Sequence, residues 1–290
     1  MVRMGSPTRK LKQRLRIPDP GPCQCHPRVG PVRPVAGCLP RKILESAAND
    51  LKIAIPKSDA TLRRALERKL NVEPVHEHTF LSKLPISSDI KRRLQQEYLR
   101  PPMPSEWHKD PDTWLDSLNI ADVLNQYEEH YPKFEFMGPF PIDFAAPNPY
   151  NHNSGKCLMN EMCELRVTRA LQNGTESIGI VYNLDPHFKS GSHWVANFLD
   201  LKRHMCYYFD SYGLTPPPQV EKFMRWLTTQ NPKMQLAYNA KRLQYKNTEC
   251  GVYSIYFIVR MLMGDEFTEF IRRKPTDADM LALRKWFFAT

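Results

Sequence analysis

SIGIVYNLDPHFKSGSHWVANFLDLKRHMCYYFDSY, residues 177–212, reads as three consecutive strands: SIGIVYNLD, WVANFLDL and HMCYYFDS, each eight or nine residues rich in β-branched and aromatic side chains and separated by Gly, Pro, Asp and Ser. If the last two form a hairpin turning at Lys202 and Arg203, facing positions sum to 405. His193 then faces Tyr212, and Asp210 faces Val195. Side chains alternate along a strand, so Asp210 becomes a same-face diagonal neighbour of His193. A one-residue slip would send the carboxylate to the other face. Asp210 also suits a simple turn, since Asp and Ser favour turns.

Working outward from the hairpin, VEKFMRWLTTQ has helical spacing and QLAYNAKRLQ is a further strand. Then comes QYKNTECGVYSIYFIVRMLMG, residues 244–264. Val252, Ile255, Tyr256, Val259, Leu262 and Met263 recur at helical spacing, placing Cys250 at a helix N-terminus. Unpaired N–H groups and the helix dipole favour an anion there, so the thiol is biased toward thiolate. Position alone also fits a small apolar residue packed beneath the first turn. The final helix starts at TDAD, with Thr276 as cap and Asp279 as the capping-box partner. Helices, a mostly antiparallel sheet, then helices again indicate an α+β fold.

On the N-terminal side the texture differs. Arg3, Arg9, Lys10, Lys12, Arg14 and Arg16 make residues 1–16 basic with no acidic residue, and Ile17 to Pro40 holds seven prolines. Residues 1–40 are therefore expected to be a flexible tail. Residues 41–105 read as a small helical arm, from LPRKILESAAND, SDATLRRALERKL and SDIKRRLQQEYL. The main domain is expected over 106–290. The 290-residue chain is 41% hydrophobic with net charge +10, which suits contact with an acidic partner such as nucleic acid. No window is long and apolar enough for a membrane span or a signal peptide, and seven irregularly spaced cysteines suggest free thiols in a reducing compartment. Cys23, Cys25, His26 and Cys38 are conceivable zinc ligands. Their Cys-x-Cys spacing is poor for a tetrahedral site, so neither metal nor cofactor is expected and exposed thiols are the better reading.

Candidate chemistry centres on Cys250 as nucleophile, His193 as base and Asp210 as orienter of the imidazole. Attack on a carbonyl also needs donors for the oxyanion: the backbone N–H of Cys250 and a side-chain amide, Gln244 or Asn247. Gln244 is preferred because Asn247 can cap a turn.

His-Trp, then Asp-Ser closing the next strand, then Gln-x5-Cys-Gly opening a helix, resembles the ubiquitin-like-protein protease superfamily, which includes the SUMO and adenovirus proteases. The stretches around these motifs, and FEFMGPFPIDF, resemble a viral branch: the virion-maturation proteases of large cytoplasmic DNA viruses, that of African swine fever virus among them. The resemblance covers about residues 107 to 290. It implies a papain-like α+β fold, a Cys250-His193-Asp210 triad with Gln244 in the oxyanion hole, and a protein substrate. That substrate would be a viral structural polyprotein cut after Gly-Gly in virions or infected-cell cytoplasm. Trp194 and, from its likeness to the family's Trp-Leu-Asn-Asp motif, Trp114 would wall a tunnel that passes only glycine. Gly251, lacking Cβ, would leave room for the scissile carbonyl. The alternatives are a protease-derived virion protein that mainly binds DNA or core proteins, its basic tail making nonspecific DNA contacts, and a protease that removes ubiquitin-like modifiers.

Overall fold

The structure, a computed structural model, describes residues 17–149 and 156–290. The basic tail over residues 1–16 lies outside them. Helices α1 (Arg41–Asp50), α2 (Asp59–Leu70), α3 (Glu77–Lys83) and α4 (Ser88–Tyr98) form the arm, with a hydrophobic cluster of their own around Leu44, Leu62, Leu66, Phe80 and Leu94. Helix α5 (Ser117–His130) follows, started by a capping box of Asp116 and Asn119. It leads into β1 (Phe134–Pro141), then short α6 (Asn160–Glu164) and α7 (Val167–Gln172), and β2 (Ser177–Asn183), β3 (Trp194–Asp200) and β4 (Met205–Phe209). Helix α8 (Pro218–Gln230) returns the chain to β5 (Gln235–Tyr238), and α9 (Cys250–Leu262), α10 (Phe267–Arg273) and α11 (Asp277–Phe287) complete it.

The five strands make one sheet in the order β1-β2-β3-β4-β5. β3 pairs antiparallel with β4 from Ala196↔Phe209 to Asp200↔Met205, the register expected from a turn centred on Lys202 and Arg203. The sheet is more mixed than expected. β1 runs parallel to β2, and β4 parallel to β5, because each of these connections is a helical crossover rather than a tight turn.

Alternation along the strands gives the sheet two buried faces. Val181, Trp194, Ala196, Phe198 and Phe209 pack toward α5, α9 and α11, while Ile178, Ile180, Tyr182, Val195 and Tyr208 pack toward α8. Every residue of α9 from Cys250 to Met261 is buried. A helix apolar all round belongs in the centre of a domain. Gly179 allows its close approach: a Cβ there would stand 2.8 Å from Ile258 Cγ2. At the far end, Thr276 and Asp279 form the expected capping box of α11.

The flexible-tail expectation is corrected between Ile17 and Pro40. Tyr256 Oη donates to the Pro18 carbonyl at 2.8 Å, Arg260 Nη1 to the Asp19 carbonyl at 2.7 Å, and Tyr127 Oη to the Pro20 carbonyl. Gln24 then donates to the carbonyls of Lys285 and Phe288 and accepts from the Thr290 N–H. A proline-rich strap cannot build a core, but its carbonyls satisfy buried donors of a neighbour that has one. Cys25 and Cys38 form a disulfide, as do Cys157 and Cys163, so the free-thiol expectation holds only for Cys23, Cys206 and Cys250 among the described cysteines. The bond removes two of the four conceivable zinc ligands. Cys23 is half-buried, its thiol donating to the Lys285 carbonyl at 3.4 Å, and burial pushes its pKa up to about 11.

Candidate active site

The hairpin register delivers His193 and Asp210 together. His193 Nε2 lies 2.7 Å from Asp210 Oδ1, with the carboxylate buried. The same oxygen accepts the Tyr212 N–H at 2.8 Å, and Asn239 donates to the Asp210 carbonyl while accepting its N–H. These bonds fix the acid in place. Asp210 does close a turn, with Gly213 N–H donating to its carbonyl at 2.8 Å, so the turn reading and the orienting geometry coexist in one residue. The ring of Tyr212 stacks on that of His193 with centroids 4.6 Å apart, the facing pair anticipated from the register.

With Nε2 committed to Asp210, Nδ1 is the ring nitrogen left for Cys250. Burial disfavours the His193 imidazolium, but hydrogen bonds to Asp210 and Cys250 and the charges of both outweigh it, pushing the pKa up to about 9. Cys250 opens α9 and is 2% exposed.

Gln244 is fully buried, and its orientation is set from two sides. Ser211 Oγ donates to its Oε1 at 2.5 Å, and its Nε2 donates to the Lys246 carbonyl at 2.6 Å, leaving the second amide hydrogen for another acceptor. Asn247 is exposed and makes no hydrogen bond among the described residues, so it caps no turn. Ser211 was not anticipated. Its signal was its place beside Asp210, but pairing with Gln244 requires two segments 33 residues apart to meet.

Trp194 is nearly buried and donates its Nε1–H to the Leu115 carbonyl at 2.9 Å. Trp114 lies before α5, not within it, and is 44% exposed, so it is no core aromatic. A Cβ on Gly251 would stand 3.1 Å from Leu115 Cβ and 3.3 Å from Trp194 Cδ1. The missing Cβ therefore lets Leu115 and Trp194 pack directly against the start of α9.

A buried ion pair supports the helix start. Glu249 and Arg284 are each 2% exposed and meet at 3.0 Å, and burial raises the Glu249 pKa even though Arg284 opposes the shift. Arg284 also donates to the Thr113 carbonyl at 2.6 Å and the Thr248 carbonyl at 3.3 Å, and covers the Trp107 ring. One guanidinium thus ties the Cys250 loop to the segment carrying Trp114 and Leu115. Sequence reading missed it because Glu249 and Arg284 lie on elements that meet only in the fold.

A helix-start cysteine beside a histidine backed by a carboxylate, on an α+β frame, defines the class of thiol peptidases. Within it the chain belongs to the Ulp1 protease family, whose C-terminal catalytic domain matches residues 182–289. A putative thiol protease of Acanthamoeba polyphaga mimivirus is 31% identical over 192 residues, 63% of this chain and 59% of that protein. A cysteine protease of African swine fever virus is 32% identical over 186 residues, 60% of this chain and 67% of the relative. This chain thus spans less than two thirds of the mimivirus relative. The crystal structure of the African swine fever virus protease superposes with a TM-score of 0.65 at 20% identity, covering 94% of this chain and 97% of that one. The shared fold therefore takes in most of the arm as well as the domain that carries the site. Among the described residues no helix is long and apolar enough to cross a membrane.

Proposed function

We propose that the protein is a thiol endopeptidase that cuts a viral structural polyprotein after Gly-Gly during particle assembly, in the virion and the infected-cell cytoplasm. The observation that carries it is His193 bonded to Asp210 at 2.7 Å, with its imidazolium favoured by both Asp210 and Cys250. In this mechanism His193, oriented by Asp210, holds the Cys250 proton so that the sulfur attacks as thiolate. The Cys250 N–H and the free Gln244 amide hydrogen stabilise the oxyanion. His193 then gives its proton to the departing amine, leaving an acyl group on Cys250. It next takes a proton from the incoming water, whose oxygen displaces the sulfur and frees the acid. Glycine selection is supported by the two aromatics that the resemblance makes tunnel walls, Trp194 held by the Leu115 carbonyl and exposed Trp114 next to Leu115, since flat walls leave no room for a substrate Cβ.

The test is incubation with Gly-Gly-X peptides and with a candidate polyprotein, alongside Cys250→Ala. Wild type should cleave after the second glycine and the variant should not. Absence of cleavage by wild type, with salt-sensitive DNA binding intact, would instead favour the DNA-binding virion protein. Release of ubiquitin-like modifiers without polyprotein cleavage would favour the deconjugating protease.

A further inference from the structure

Next to the reaction centre an arginine is held in place and left without an acid. Arg242, in the loop between β5 and α9, is exposed, yet its guanidinium carbon lies 5.1 Å from the ring centroids of both Tyr212 and Tyr245. Its Nε donates to the Gln244 carbonyl at 2.7 Å. No carboxylate among the described residues pairs with it, whereas Arg203, Arg225, Arg260, Arg273 and Arg284 in the same part of the chain all have acidic partners. Two rings and a backbone carbonyl thus orient a planar fork whose terminal nitrogens are unpaired. A fork ordered in advance loses little entropy on meeting a carboxylate, which it can hold through two parallel hydrogen bonds.

The surroundings carry the same sign. Lys241 and Lys246 are exposed on either side. Asp277, which touches the loop, already accepts the backbone N–H groups of Tyr245 at 2.9 Å and Lys246 at 3.1 Å.

Position indicates which half of a substrate would meet this fork. His193 and Trp194 are consecutive and face opposite ways: Trp194 toward Leu115 and Gly251, His193 toward Asp210 and Tyr212. A chain whose acyl half enters past Trp194 departs past His193 and Tyr212, the side where Arg242 stands and where the leaving amine collects its proton. We propose that Arg242 is a specificity-determining carboxylate subsite that reads an acidic side chain of the substrate just after the scissile bond. This inference rests on the peptidase reading above.

Quenched peptides sharing Gly-Gly before the bond test it, with Glu, Gln or Lys at the first or second position after it. A parallel series carries Glu in front of the two glycines. Wild type should favour Glu over Gln after the bond by about fivefold in kcat/KM, as for an exposed, well-oriented ion pair, with the preference shrinking at high salt. Arg242→Glu should invert the order, placing Lys above Gln. Equal wild-type rates for Glu and Gln, or an acidic preference only in front of the glycines, would overturn the subsite while leaving the peptidase reading intact. No cleavage of any peptide would overturn both. The wild-type ratio can overturn the subsite without any variant, and Arg242→Gln, an exposed change, should erase the Glu preference; a preference that survives it would come from Lys241 or Lys246 and overturn the assignment to Arg242.

Discussion

His193 has two partners and a raised pKa, and the sign of that shift sets the pH behaviour. A histidine whose folded pKa of about 9 exceeds its ordinary value of 6.5 is favoured as the imidazolium. Its pairing contributes stability that is complete below about pH 6.5 and is lost as pH rises through about 9. In the thiolate–imidazolium scheme kcat/KM should accordingly hold up to an alkaline limb near pH 9. Asp210→Asn removes one of the charges that hold the proton. The limb should move to lower pH and kcat fall by about 10²- to 10⁴-fold, and a profile superimposable on wild type would rule out Asp210 as orienter. Ser211 offers a separate test at this scale. Without its hydroxyl the Gln244 carbonyl oxygen loses its partner and the amide can turn away. Ser211→Ala should lower kcat with little change in KM, and Gln244→Ala should lower it by about 10²- to 10³-fold, the usual cost of one oxyanion donor. Equal fall in both variants' substrate affinity, with kcat preserved, would contradict that role.

At the scale of elements, legibility followed whether the determining contacts were local. The β3–β4 register was readable because a short turn fixes it, and with it came His193 and Asp210. The α9 start was readable from the helical recurrence of the helix's own apolar residues, and the α11 cap from side chains within one turn. Strand β1 was not read as a strand, since FEFMGPFP is broken by Gly138 and Pro139 where its register against β2 shifts. The parallel edges escaped because direction across a crossover is set by where the helices pack. The ion pair beneath α9 escaped for the same reason, and its chemistry is testable. Removing one member of a buried pair strands the other, so Arg284→Met should cost about 3–5 kcal/mol in denaturant unfolding. Glu249→Gln in that background removes the stranded charge and should recover a substantial part. If the double variant is no more stable than Arg284→Met, Arg284 acts through Thr113, Thr248 and Trp107 instead.

For the molecule as a whole, the instructive departure is the strap. Composition placed residues 17–40 with the tail, because low hydrophobicity and seven prolines cannot sustain a core. That reasoning treats a segment as if it had to fold alone. Here the strap crosses α9 and α5, adding Ile17 to the cluster around α9 and Cys25, Cys38 and Leu39 to that of the arm, and accepting hydrogen bonds from Tyr256, Arg260 and Tyr127, each of which would otherwise leave a polar group unsatisfied near the core. It then joins the arm through the backbone pairing of Cys25 with Leu99, and the Cys25–Cys38 bond closes a loop within the strap itself. Gln24 adds a tie to the last residues of the chain. The strap thus couples arm and catalytic domain, so loosening it should be felt in both. The disulfide encloses a short loop, with a sequence separation of 13, and should contribute about 2–3 kcal/mol, chiefly by restricting the unfolded chain. Cys25→Ser/Cys38→Ser should therefore lower the melting temperature. Reductant should lower that of wild type further than that of the double variant, whose remaining sensitivity would come from Cys157–Cys163. If reductant lowers both equally, Cys25–Cys38 contributes nothing to stability and the strap is held by its hydrogen bonds at Pro18, Asp19, Pro20 and Gln24 and by the pairing of Cys25 with Leu99.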